Sequence, residues 1–185
     1  MRKTQHGVSL IELMVTISVV SILLAVGVPS YRYVTTSNRV SSEVNGLLLD
    51  LQYARSEALK QGRTVTLCPA TSTQTCATDQ KFQNGWIVFI DINGNGQVDD
   101  ASEVLLKNQP SFAATNDTFV SDNSIKAITY NREGFASGLG APAAGYITIT
   151  LHDKNSKPQW TRCVQVNTIG KLRVERNGDP LGNCT

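Results

Sequence analysis

Residues Val8–Val28 read VSLIELMVTISVVSILLAVGV, and the residues before Gly7 read MRKTQH. At ~1.5 Å rise per residue a helix of about 21 residues spans ~30 Å, the thickness of a bilayer core. The basic flank favours a cytoplasmic location for that end. An ordinary secretory signal places its small residues and cleavage site after the apolar stretch. Here the small residue, Gly7, stands before it, so processing at Gly7 would keep the apolar segment as an anchor. Glu12 breaks the pattern. A carboxylate in a membrane helix costs a few kcal/mol on insertion scales and needs a partner. Cleavage after Gly7 would create an α-amino group on Val8, four residues before Glu12, and that amine on one copy could neutralise Glu12 on a neighbour.

Beyond Pro29 the chain turns amphipathic. Val40, Val44, Leu47, Leu48, Leu51, Ala54 and Ala58 recur at three- and four-residue spacing, which predicts a helix continuing from about Val8 to Gln61. Gly62 is a natural C-cap. The remainder reads as strands: Thr64–Cys68, Gly85–Ile92, Glu103–Lys107, Ile125–Tyr130, Tyr146–His152, Thr161–Asn167 and Lys171–Glu175. The expected class is α+β, with one long helix packed on an antiparallel sheet. The chain divides into residues 1–7, a leader; 8–29, a transmembrane half-helix; 30–62, an amphipathic half-helix; and 63–185, a β-rich head.

With 185 residues there is room for one modest domain besides the anchor. Removing Arg2 and Lys3 from the 17 basic residues leaves them level with the 15 acidic ones. A global electrostatic grip on nucleic acid is thus unsupported, and any such contact must be local. Cys68, Cys76, Cys163 and Cys184 all follow the apolar segment, and their spacing is not that of a zinc site. Four cysteines allow three pairings, which sequence does not decide between. The favoured pairing is Cys68–Cys76, closing a short loop, with Cys163–Cys184 tying the C-terminal tail to a strand; buried free thiols are the alternative.

The run Gly7-Val8-Ser9-Leu10-Ile11-Glu12 resembles the class III leader junction of type IV pilins and pseudopilins, with Val8 where family members usually carry Phe. Pro29 falls where pilins carry a kinking proline. The resemblance implies cleavage between Gly7 and Val8 by a prepilin peptidase, N-methylation of Val8, and a role for Glu12 in assembly. Leu51-Gln-Tyr-Ala-Arg-Ser-Glu-Ala58, with Gly62, Val65, Cys68, Asn84-Gly-Trp-Ile-Val-Phe89 and Asp91, is similar to the GspH/FimT group of minor pilins and pseudopilins. It implies a pilin-like fold and a minor pilin at or near a pilus tip. The implied partners are other major and minor pilins, the peptidase and an inner-membrane assembly platform. The chain would sit single-pass in the bacterial inner membrane, head in the periplasm, and then join a surface pilus. A minor pseudopilin of type II secretion is another reading.

Two segments suggest further chemistry. Asp91, Asn93, Asn95 and Asp99 recur at alternate positions with Gly96 at a sharp turn, resembling a calcium loop whose twelfth position is Ser102 rather than Glu. The alternative is an Asn-Gly turn, and no other cofactor is expected. Near the C-terminus Lys154, Lys157, Arg162, Lys171, Arg173 and Arg176 outnumber Glu175 and Asp179. Gly170-Lys171-Leu172-Arg173 is similar to the Gly-Arg-x-Arg motif of DNA-binding FimT-type minor pilins, with Lys171 in place of the first Arg. It implies double-stranded DNA contact through Lys171, Arg173 and Arg176 in natural transformation; the alternative is a solvated basic face. No nucleophile–base pair or phosphate loop is evident, so an enzyme is not expected.

Overall fold

The computed structural model describes residues 7–71, 75–99, 102–112, 117–122, 125–138, 145–179 and 184. The N-terminal helix, α1, runs Leu10–Gln61 with Pro29 inside it. Two compact units share the chain, Met1–Arg39 and Val40–Thr185.

In the first unit the helix is apolar enough to cross a membrane, with a mean hydropathy of 2.4 over 18 residues. Leu10, Ile11, Leu13, Ile17, Leu23 and Val26 are all exposed. Three of its hydroxyls are already satisfied: Thr16 Oγ1 donates to Leu13 O (2.9 Å), Ser18 Oγ to Met14 O (2.8 Å) and Ser21 Oγ to Ile17 O (2.8 Å). Such back-bonding removes the cost of carrying a hydroxyl into lipid. Glu12, in the first turn, has no equivalent solution. A carboxylate only accepts, and the carbonyls that serve a hydroxyl cannot serve it.

The second unit is built on the far end of α1. Val40, Val44, Leu47, Leu51, Ala54 and Ala58 are at most 3% exposed, and their alternating four- and three-residue steps form one stripe. Gly62 ends the helix at φ +63°, a left-handed conformation that glycine adopts without steric cost. Among the described residues nine strands follow: β1 Val65–Pro69, β2 Gly85–Ile90, β3 Leu105–Pro110, β4 Thr118–Ser121, β5 Ile128–Tyr130, β6 Ala136–Gly138, β7 Tyr146–His152, β8 Arg162–Asn167 and β9 Leu172–Arg176. They form two antiparallel sheets, ordered β3-β2-β1-β5-β6 and β4-β7-β8-β9. The helix stripe shares one core with Val65, Leu67, Trp86, Val88 and Tyr130 from the first sheet and Ile147, Ile149, Val164 and Val166 from the second. A smaller core of Cys68, Ile87, Phe89 and Ala127 covers the other face of the first sheet, so β1 and β2 are buried on both sides.

The α+β architecture matches the reading from sequence, with two sheets where a single one was expected. β4 and β6 were not foreseen. Each is short, and only Phe119 in β4 and Ala136 in β6 are buried apolar residues. β3 begins two residues later than expected, because Glu103 turns its carboxylate to accept from the backbone N–H groups of Ile92 (3.3 Å) and Asp99 (3.0 Å). Glu103 therefore caps a loop instead of opening a strand.

Candidate functional site

Arg55, on α1, fixes the C-terminal basic segment. Its guanidinium donates from Nε to Gly134 O (3.1 Å), and from its two terminal nitrogens to Gly170 O (3.0 Å) and Ile169 O (2.9 Å). One planar fork thereby clamps the turn before β6 and the turn between β8 and β9. Both turns close on themselves: Gly134 N–H donates to Asn131 O (2.9 Å) and Gly170 N–H to Asn167 O (2.8 Å). Gly170 sits at φ +74°, and a Cβ there would lie 2.4 Å from Gly134 O and 2.8 Å from Arg55 Nε. Only glycine fits. Tyr130 lies within reach of Arg55's charge, yet burial dominates and pushes its phenol well above the usual range.

The turn held by Arg55 presents Lys171, whose backbone N–H donates to Asn167 Oδ1 (2.8 Å). Lys171 and Arg173 line one cleft with Tyr146, Gln165, Asn167 and Glu175. Arg173 Nε lies 3.2 Å from Glu175 Oε1, an ion pair in which Arg173 is half exposed and Glu175 only 1% exposed. Glu175 Oε2 accepts from Gln165 Nε2 (2.9 Å). Arg176 does not join them. It is the last residue of β9 and pairs across to Arg162, while Arg173 pairs with Gln165, so strand alternation puts Arg176 on the opposite face. The expected trio is a pair.

Cys68–Cys76 and Cys163–Cys184 are disulfide-bonded. Cys163 lies directly across from Glu175 in the β8–β9 register. The second bridge therefore brings Cys184, 3% exposed, to the face of the sheet that carries Glu175.

The Asp91–Asp99 loop is held by its own hydrogen bonds. Asp91, fully buried, accepts at Oδ1 from the N–H groups of Gly94 (2.7 Å) and Asn95 (3.2 Å). At Oδ2 it accepts from Thr66 Oγ1 (2.7 Å) and Gly96 N–H (2.9 Å). The Oδ1 atoms of Asn93 and Asn95 accept from the N–H groups of Asn95 and Gln97. Asp99 takes the side-chain amides of Asn93 (3.0 Å) and Asn95 (2.6 Å). Calcium demands six to eight oxygens at about 2.3–2.6 Å, and each of these side-chain oxygens already serves a protein donor. In this arrangement the loop satisfies those oxygens itself, as an Asn-Gly turn does.

Sequence reasoning gave no role to Asp50. It is 2% exposed, accepts from Trp86 Nε1 (2.8 Å) and pairs with Lys107, joining α1 to β2 and β3. Its signal was available: an Asp within the apolar stripe, between Leu47 and Leu51, needs a buried partner.

The family model described as type II transport protein GspH matches residues 43–170, from the second half of α1 to the Arg55-clamped glycine. The chain belongs to the GspH family. Residues 2–28 match the prokaryotic N-terminal methylation motif, so this GspH chain is a pilin-like subunit with a methylation-type N-terminus. In fold it is similar to the type IV minor pilin FimU of Pseudomonas aeruginosa (strain PAO1). One crystal form gives a TM-score of 0.57 at 16% identity over 84% of this chain and 99% of FimU. A second gives 0.53 at 18% identity over 80% and 99%. The minor pseudopilin EpsH from the type 2 secretion system of Vibrio cholerae gives 0.50 at 13% identity over 76% and 98%. No curated protein matches the chain in sequence. Within the GspH match the Arg55 clamp has a plain meaning: the helix signature anchors the turn that opens the basic strand.

Proposed function

We propose that the chain is a minor type IV pilin, a structural subunit and not an enzyme, cleaved between Gly7 and Val8, N-methylated on Val8 and built into a filament. The observation that carries this reading is Glu12. In an exposed apolar helix where Thr16, Ser18 and Ser21 are internally satisfied, one carboxylate remains in the first turn. The amine of Val8 on a neighbouring subunit supplies its partner. Before assembly the helix anchors the chain in the inner membrane with the head in the periplasm. Its partners are then the prepilin peptidase, the inner-membrane assembly platform, and the major and minor pilins beside it in the pilus.

Gly7→Ala is expected to leave the chain as uncleaved precursor, heavier by the seven-residue leader. Glu12→Val is expected to be cleaved normally but to fall at least about tenfold in sheared filaments, the scale of one unpaired charge in lipid. Mass spectrometry of the N-terminus and immunoblots of sheared pili read both. Normal processing of Gly7→Ala would sink the leader assignment, and wild-type incorporation of Glu12→Val would sink the assembly role. Appearance in sheared surface pili also separates the pilus from a type II secretion machine.

A second reading has its own observation. Lys171 and Arg173 share one cleft on the head, where two cations at fixed positions can meet successive phosphates of double-stranded DNA. This favours a DNA-contacting minor pilin acting in DNA uptake, and the salt dependence of DNA binding tests it.

A further inference from the structure

Glu175 is an odd residue to find beside a phosphate-binding cleft. It lies on the same face of β9 as Arg173, two residues along, and is almost fully buried. Burying a carboxylate is costly unless it is paired. A glutamine would fill the same volume and still accept from Gln165 Nε2, the donor that Glu175 Oε2 serves among the described residues. The carboxylate's second oxygen has another consequence: it faces Arg173 Nε at 3.2 Å. Cys163, directly across from Glu175, carries the Cys163–Cys184 bridge on the same side of the sheet. Burial of the carboxylate strengthens its attraction for the guanidinium, while Arg173 itself keeps about half of its side chain in solvent.

We propose that Glu175 is an electrostatic brake on the Lys171–Arg173 cleft, holding back Arg173 and lowering the affinity of the head for a nucleic-acid backbone. This rests on the DNA reading of the cleft. With the brake in place Lys171 makes the main phosphate contact. Release of Arg173 adds about one more neutralised phosphate. Each such contact steepens the fall of log K with log salt by about 0.9, which corresponds to roughly eightfold tighter binding at 0.1 M salt.

The test uses the full-length protein in a neutral detergent. Binding to a fluorescent DNA duplex is followed by anisotropy between about 50 and 200 mM salt. Glu175→Gln is expected to bind roughly eightfold tighter at 0.1 M, with a slope steeper by about 0.9. The double variant Arg173→Gln/Glu175→Gln is expected to return to the wild-type slope. If wild type and Glu175→Gln bind with the same slope and affinity, the brake is overturned while the DNA reading stands. If neither binds, both fall. A gain that persists in the double variant also overturns the proposal, because it does not pass through Arg173. Should Glu175→Gln fail to fold, Arg173→Gln alone decides: the brake requires little change in slope, and a loss of about 0.9 contradicts it.

Discussion

Gly170→Ala and Arg55→Ala should each cost the head about 3–5 kcal/mol and lower its melting temperature by roughly 8–15 °C. Arg55 makes three charge-assisted bonds to carbonyls in two separate turns, and its truncation leaves the half-buried acceptors of Gly134 and Gly170 without their donor. Gly170→Ala attacks the same clamp from the other side. The left-handed φ alone costs an alanine about 1–2 kcal/mol. The larger part comes from a methyl 2.4 Å from Gly134 O and 2.8 Å from Arg55 Nε, a clash with backbone that no rotamer relieves. Gly178→Ala is the control. Gly178 has φ +83° but nothing within 4 Å of an added Cβ, so it should show the conformational cost and little else. Thermal melts of the three variants separate strain from clash, and equal losses at Gly170 and Gly178 would refute the clamp. Gly170→Ala should also disturb Lys171, whose backbone N–H is tied to the turn.

How far the sequence foretold this arrangement depends on the kind of signal. The helix was legible because its stripe repeats over several turns. Strand β7 was legible to the residue, since Ile147, Ile149 and Leu151 alternate with Thr148 and Thr150 after Gly145. That alternation nevertheless misleads on environment: a half-buried strand would turn Thr148 and Thr150 to solvent, and both are buried. The Cys163–Cys184 bridge was the favoured pairing from sequence and is formed, but the burial of the residues around it is not written in the local pattern. The basic segment shows the same limit. Charges can be counted along a chain, but Arg173 and Arg176 part company by strand parity, and ending the expected strand at Glu175 hid this. The opposing role of Glu175 needs the actual register. Arg55 was visible within a family signature, yet its three acceptors lie 79 to 115 residues away in sequence, beyond any local pattern.

Asp91→Ala should destabilise the head by about 3–5 kcal/mol, and the loss should not depend on calcium. The carboxylate is fully buried and accepts from four donors. Not all four would be stranded by its removal. The Thr66 hydroxyl retains Thr129 Oγ1 at 2.8 Å, and the Asn95 N–H retains Asn93 Oδ1 at 3.0 Å. Among the described residues the N–H groups of Gly94 and Gly96 have no such second acceptor, and the loop loses the group that folds it back on β2. Asp91→Asn keeps the shape but turns an amide NH₂ toward N–H donors, so an intermediate loss of about 2 kcal/mol is expected. Because the side-chain oxygens of Asn93, Asn95 and Asp99 are engaged as well, adding calcium or a chelator should leave the wild-type melting temperature where it is. A rise of several degrees with calcium, abolished in Asp91→Asn, would show that the loop reorganises around the ion and would replace the turn reading with a metal site.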